Sequence, residues 1–389
     1  MSKKTQTLLS VLLFLFSINL NAQNLSQLAA KYGFKLGTVI SLTSVNNPAY
    51  KKMIRDDFNS ITASNEFKAY SLLNQHDSML NPDGMPVMRY NAADKICDFA
   101  QENGIKMRGH VLVWDAYMKD WFFREGYKNT GNYVDSETMK KRLEYYINDV
   151  ISHFENKYPG LIYCWDVVNE AVADSSAEAA SGDKRMVRVK RGGSENLFYT
   201  CLGPNYVELS FKYAKEAVNK VNPQIKLYYN DYNTFMSGKR QAIKNLLKSI
   251  NAEEKLCDGV GMQGYIGGYG KQDGCMNFND ITSIRVSILD YASLGLEVQI
   301  TEMAVRNYKD DENSRKIHAK FYESLFRELI GINNAHNSPL TAVSIWGITD
   351  NPSLPTTNYS YKMNGPYCGI YNERCKKKMD YDSILKVLE

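Results

Sequence analysis

Short apolar runs recur at Lys35 to Ile40, Phe58 to Ala63, Ile105 to Val113, Leu161 to Val168, Lys226 to Tyr229, Gly259 to Met262, Leu296 to Thr301 and Thr341 to Trp346. Segments with apolar residues at three- and four-residue steps separate them, such as Leu143, Ile147, Val150, Phe154 and then Val207, Phe211, Ala214, Val218, Val221. Further examples are Ile243, Leu246, Leu247, Ile250 and Ile317, Phe321, Leu325, Leu329, and a closing helix is expected over about Tyr381 to Leu388. Parallel strands require crossover helices, and eight such units can close on themselves around an interior filled with side chains. The pattern therefore points to an α/β chain folded as a single (β/α)8 TIM barrel. An open doubly wound sheet is the alternative, disfavoured because no G-x-G-x-x-G turn follows the first run.

The run Leu161-Ile-Tyr-Cys-Trp-Asp-Val-Val-Asn-Glu170 is apolar until it ends on polar residues. A strand buried on both faces reads this way, with Asn169 and Glu170 where it emerges into a cleft. Glu297-Val-Gln-Ile-Thr-Glu302 repeats that ending 132 residues later. Carboxylates at the same ends of two parallel strands can flank one glycosidic bond, one protonating the departing oxygen and the other attacking carbon or activating water. Other polar residues at strand ends are Ser64, Asn65, Lys68, His110, Trp114, Asp115, Asn230, Asp231, Asn233, Gln263, Tyr265, Trp346 and Asp350.

Composition narrows the remaining choices. A formal charge of +4 over 389 residues, with basic residues scattered apart from Lys184 to Arg191 and Lys376 to Lys378, argues against nucleic acid as a partner. The Lys184 to Arg191 run reads most simply as a solvated part of a long loop, Ala173 to Gly203, that should overhang the site. Lys3-Lys4 ahead of the apolar run Leu8 to Leu20, with Ala22 at the cut, has the form of a signal peptide over residues 1–22. The expected mature chain, 23–389, is a single catalytic barrel that is exported to the periplasm or secreted, works as a monomer and has no membrane span. Seven cysteines permit disulfides in such a compartment, and Cys368 with Cys375 is the favoured pair because the residues between them read as a hairpin tip. No His/Cys cluster has metal-ligand spacing and no Gly-rich phosphate loop appears, so neither metal nor cofactor is expected.

Five segments in order resemble glycoside hydrolase family 10, the retaining endo-β-1,4-xylanases. They are Gly109-His-Val-Leu-Val-Trp114, Trp165-Asp-Val-Val-Asn-Glu-Ala171, Leu227-Tyr-Tyr-Asn-Asp-Tyr-Asn233, Ile300-Thr-Glu302 and Trp346-Gly-Ile-Thr-Asp350. The resemblance runs from about Gly37 to the closing helix. It implies cleavage of internal β-1,4-xylosidic bonds of xylan by double displacement, with Glu170 as acid/base and Glu302 as nucleophile. It further implies that Asn169 bonds the 2-hydroxyl of the cleaved sugar, that His110, Trp114, Gln263 and Trp346 line that subsite, that Asn65 and Lys68 belong to the glycone side, and that Tyr232 lies on the leaving-group side.

Four positions depart from the family pattern: Ser64 where a carboxylate is usual, Asp115-Ala-Tyr117 after the Trp, Tyr265 in place of a histidine that bonds the nucleophile, and Leu354 in place of a second Trp. A Tyr265 hydroxyl can still donate to Glu302, though it carries no positive charge. These departures keep two alternatives open, a hydrolase of the same mechanism acting on another β-linked glycan or oligosaccharide, and a glycan-binding protein without activity.

Overall fold

Each apolar run becomes a strand: β1 Lys35–Ile40, β2 Ser60–Ala63, β3 Lys106–Val113, β4 Ile162–Asn169, β5 Lys226–Asp231, β6 Gly259–Met262, β7 Glu297–Val305 and β8 Leu340–Ile345. The computed structural model describes residues 24–267, 276–354 and 365–389, so the expected leader over 1–22 lies outside the described residues. Among the described residues these strands pair in parallel from β1 through β6, β8 pairs with β1 and with β7, and β7 pairs with β6 to close the ring. Closure excludes the open doubly wound sheet and leaves no unpaired edge.

A helix follows every strand: α1 Pro48–Asp57, α2 Asn91–Glu102, α3 Ser136–Lys157, α4 Tyr206–Val221, α5 Ser237–Ile250, α6 Asn279–Ala292, α7 Glu312–Ala335 and α8 Met379–Leu388. Their inner faces carry the periodic residues. Leu143, Ile147, Val150 and Phe154 on α3, and Ile243, Leu246, Leu247 and Ile250 on α5, are all buried. On α7 Ile317 is only half-buried, because the face turns on His318, whose Nδ1 lies 2.7 Å from Asp380 of α8.

Side chains on a strand point alternately into the barrel and toward the helices. Trp165 of β4 faces outward, with ring centroids 5.8 Å from Phe67 and 5.9 Å from Phe154. Its neighbour Asp166 faces inward and is held by Arg108 Nη1 and Nη2 at 3.1 and 2.6 Å. Arg108 Nε also donates to Gln299 Oε1 at 2.6 Å, so a polar layer fills the interior beneath the site. Burial works against ionised Asp166, but Arg108 and His110 outweigh it and hold the carboxyl below the usual range.

The two ends of the barrel sequence meet at Asp57. Its carboxylate accepts the backbone N–H of Leu25 at 3.3 Å, the Tyr381 hydroxyl at 2.7 Å and the Tyr371 hydroxyl.

Most strand boundaries shift by a residue or two from the sequence reading, and two strands run on toward the site. β5 runs on to Asp231, and β7 continues through Glu302 to Val305, because Tyr265–Ile266 forms a short parallel ladder with Ala304–Val305. The expected Cys368 to Cys375 disulfide is absent, since both are free thiols. Cys368 is buried beside Asp350 and Lys378, whereas the Cys375 thiol is engaged with Thr349.

Gly109 on β3 leaves the space that the Trp165 indole occupies, and a Cβ there would stand 2.2 Å from its Cε3. Gly109→Ala should destabilise the fold by about 1–3 kcal/mol, since the ring is locked between helix and sheet. A lowered denaturation midpoint at unchanged slope is the expected readout.

Candidate active site

The carboxyl ends of the strands surround a cleft of about 780 Å³. Glu170 follows β4 in a left-handed conformation, φ 56°, and Glu302 sits within β7 where the β7–β8 register shifts between Ile300 and Met303. Such irregularities at strand ends re-aim side chains, here toward the cleft. Both carboxylates line it, and each is 7% exposed.

Three amides connect them. Asn230 Nδ2 donates to Asn169 Oδ1 at 2.8 Å and to Glu302 Oε1 at 3.3 Å. Gln263 Nε2 donates to Asn169 Oδ1 at 3.3 Å and to Glu170 Oε1 at 3.1 Å. Thr301 fixes Asn230 in turn, its hydroxyl donating to Oδ1 at 2.7 Å. Asn169 is left with its Nδ2 buried and without a partner among the described residues, a donor directed at whatever enters the site.

The two carboxyls experience different surroundings. Burial raises the Glu170 pKa; Arg191 opposes this, Asp231 adds to it, Gln263 opposes it and Glu302 adds to it, and the group ends at about 7. Glu302 Oε2 accepts the Tyr265 hydroxyl at 2.5 Å, in addition to the Asn230 bond. One acid thus holds its proton to neutrality while its neighbour is supplied with donors suited to an ionised group.

Of the residues singled out in the sequence, Asn65, Lys68, His110, Trp114, Tyr232, Gln263, Tyr265 and Trp346 line the same cleft as Glu170 and Glu302, and Asn169 lies just beneath it. His110 is oriented by Nδ1 at 2.8 Å from Asp166, which leaves Nε2 for the cleft. Lys68 Nζ donates to Asn65 Oδ1 at 3.1 Å and lies 4.2 Å from the Tyr117 ring centre and 5.0 Å from that of Trp114. Burial lowers the Lys68 pKa to about 8, against the pull of Glu302, Glu170 and Glu66. Asp231, paired with Lys239 at 2.8 Å, anchors the end of β5.

The four departures all fall in or around this cleft. Ser64 leaves no carboxylate at its own position, but Glu66 lines the cleft nearby, its oxygens taken by the backbone N–H groups of Leu42 at 2.7 Å and Asn65 at 3.1 Å. The Lys68 ammonium lies over the Tyr117 ring, and Leu354 and Trp346 line the same cleft. Asp115 binds Arg191 in a two-pronged pair, 3.0 Å to Nε and 2.8 Å to Nη2.

The loop after β4 overhangs the site, and its basic run is solvated only in part: Lys184 and Lys190 are exposed, as the sequence suggested, but two arginines turn inward. Arg188 is 1% exposed and pairs with Asp174 and Glu178, while Arg191 reaches Glu170 Oε2 at 2.9 Å. Asn230, named in the sequence only as a polar strand-end residue, and Arg191, read there only as part of the overhanging loop, thus join the site with contacts to Glu302 and Glu170. Asn230 carried the same signal as Asn169, a buried amide at the end of an apolar strand. Arg191 carried only the Gly192-Gly193 pair beside it.

Fold and site together define a (β/α)8 glycoside hydrolase. The chain matches the family described as Glycosyl hydrolase family 10 over residues 24–387. It is 35% identical over 327 residues to a putative endo-1,4-beta-xylanase of Caldicellulosiruptor saccharolyticus, spanning 82% of this chain and 96% of that protein. It is also 35% identical over 329 residues to endo-1,4-beta-xylanase A of Thermotoga maritima, covering 83% of this chain but 27% of that longer protein. Among solved structures, the CBM22-1 and GH10 modules of Clostridium thermocellum xylanase 10B, complexed with xylohexaose, match with a TM-score of 0.80 at 29% identity, over 94% of this chain and 68% of that one. The chain belongs to glycosyl hydrolase family 10.

The Glu302 charge is one of the causes that raise Glu170. Glu302→Gln should therefore lower the pKa of Glu170 from about 7, as read by carbon-13 NMR of the labelled carboxyl. An unmoved titration would mean that the two groups do not share a field.

Proposed function

We propose that the chain hydrolyses internal β-1,4-xylosidic bonds of xylan with retention of configuration, Glu170 serving as acid/base and Glu302 as nucleophile. The observation that carries this reading is the amide-linked pair of carboxyls in one cleft, one buried and protonated near neutrality and the other held by Tyr265 and Asn230. Retaining enzymes of this type place the two groups roughly 5 Å apart.

In the first step the Glu170 proton passes to the glycosidic oxygen as that oxygen leaves carbon, and a Glu302 oxygen bonds to the same carbon from the opposite face. Glu170 is then ionised. Water enters, gives its proton to Glu170 and attacks the carbon, releasing Glu302 and restoring both starting states. The unpaired Asn169 Nδ2 is suited to the sugar 2-hydroxyl, a contact that strengthens as positive charge grows on the ring. His110, Trp114, Gln263 and Trp346 line that subsite, with the indoles offering apolar walls to the sugar faces. Asn65 and Lys68 belong to the glycone side and Tyr232 to the leaving-group side.

A hydrolase tuned to another β-linked glycan and a silent binding protein are the less favoured readings, since xylanases of the same family resemble the chain over most of its length and both carboxyls remain in place. The basic residues and apolar run ahead of Ala22 support export of the chain, and we propose that it works as a monomer. Among the described residues no helix is long and apolar enough to cross a membrane.

Glu302→Ala should reduce release of xylo-oligosaccharides to background. Glu170→Ala should slow cleavage of xylohexaose by about 10²–10⁴-fold but spare the first step on aryl xylobiosides whose leaving group needs no proton. Equal losses on both substrates would remove Glu170 from the proton-donor role. Tyr265→Phe should lower kcat/KM by about 10–100-fold, the worth of one hydrogen bond to a charged group. For the parent protein, kcat/KM should fall as pH rises through about 7, because the donor is the protonated form of Glu170.

A further inference from the structure

Arg191 is carried on a short hairpin, Lys190–Arg191 paired with Ser194–Glu195, whose turn is Gly192-Gly193 with both residues at positive φ. The hairpin is tethered at its tip, since the Gly192 N–H donates to Glu178 Oε1 at 3.0 Å. It is tethered again behind, where the Asn196 N–H donates to Val189 O at 2.9 Å. From this base the guanidinium reaches across the cleft edge to two elements at once. Nε and Nη2 grip both oxygens of Asp115, beyond β3, while Nη1 donates to Glu170 Oε2 and Nη2 to the Glu170 carbonyl oxygen at 3.1 Å. The planar fork is therefore fixed on one side by a carboxylate with no part in the proton transfer and presents its free edge to Glu170.

We infer that Arg191, braced by Asp115, is a positioning residue that fixes the pose of the Glu170 carboxyl and balances the charge this group acquires when its proton leaves. The inference rests on Glu170 being the proton donor. When Glu170–H protonates the departing oxygen, the negative charge left on the carboxyl lies 2.9 Å from Nη1. When water later returns a proton, the pair reverts to a cation beside a neutral acid. Asp115 keeps the guanidinium partly neutralised throughout, so the cation does not strip the proton from Glu170 in the resting enzyme.

Several other groups face Glu170 and set the background. Asp231 lies on β5 and Glu302 on β7, both adding to its affinity for a proton, Gln263 donates from beyond β6, and Lys68 and Tyr117 approach from beyond β2 and β3. Arg188, whose Nε donates to the Glu170 carbonyl oxygen at 3.3 Å, stays in place when Arg191 is replaced. The replacement removes the one cation bonded directly to the carboxyl and uncovers the Asp115 charge, and both changes favour the protonated form of Glu170.

The test is the pH profile of kcat/KM for Arg191→Gln and Arg191→Lys, measured on xylohexaose and on an aryl xylobioside with a leaving group that needs no proton. Loss of the cation should move the alkaline limb on xylohexaose upward by roughly one pH unit or more. Arg191→Lys, which keeps a charge on the same hairpin, should bring the limb back toward its original position. On the aryl substrate, whose leaving group needs no proton, the change in kcat/KM should be smaller than on xylohexaose. An unmoved limb in Arg191→Gln, or equal losses on both substrates, would overturn the inference and reduce Arg191 to a loop brace. Should Arg191→Gln not fold, Arg191→Met removes the same charge and is judged by the same limb. Glu170→Gln measured alongside separates the two levels: if it retains full activity on xylohexaose, the assignment of Glu170 fails, whereas an inactive Glu170→Gln with an unmoved Arg191→Gln limb overturns only the role of Arg191.

Discussion

Two carboxyl groups placed close together in a buried cleft repel when both are ionised, and the rest of this site is arranged around that repulsion. Between Glu170 and Glu302, Gln263 donates to the first and Asn230 to the second, and the Asn169 carbonyl oxygen accepts from both amides and ties them together. The asymmetry comes from what lies outside this ladder. Glu302 receives a phenol hydroxyl, while Glu170 faces the negative charges of Asp231 and Glu302 against the single cation of Arg191. The amides could not hold these poses alone. Thr301 fixes Asn230, and the backbone contacts Glu170 N–H to Asn230 O and Gln263 N–H to Asp231 O lock neighbouring strand ends together.

The polar layer below the cleft explains why a barrel interior of this kind is not purely aliphatic. Arg108, Asp166, Gln299 and His110 are all buried, which would be costly for any of them singly. Together they satisfy one another, and the outcome that matters for the site is the orientation of His110. Removing one member would leave an unpaired charge in the barrel, so these positions constrain one another more tightly than surface ion pairs such as Lys316 with Glu312.

Much of this was legible in the sequence because buried parallel strands announce themselves on both faces. The eight runs were found by their apolar continuity, and the polar residues that end them gave the positions of Glu170, Glu302, Asn169 and His110. What the sequence could not carry were contacts made by loops folding back. The reach of Arg191 depends on a glycine turn and two tethers that leave no periodic trace, so a charged run that reads as solvated turned out to be half interior. The extension of β7 past Glu302 was hidden for a similar reason, since its partner Tyr265–Ile266 is too short to read as a strand. The Cys368 and Cys375 spacing suggested a bridge that their surroundings direct elsewhere, one thiol toward the core and one toward Thr349.

The meeting of Leu25, Tyr371 and Tyr381 on the single carboxylate of Asp57, together with β1 lying beside β8, joins the beginning of the barrel sequence to its last helix. A ribosome delivers such a chain from one end only. Until Leu340–Ile345 has emerged β1 lacks one neighbour, and until Tyr371 and Tyr381 follow Asp57 lacks two of its three donors, so the ring stays open however much of it has formed. Maturation of the molecule is therefore gated by the arrival of its tail, and an incompletely synthesised copy exposes a bare strand edge in place of a cleft.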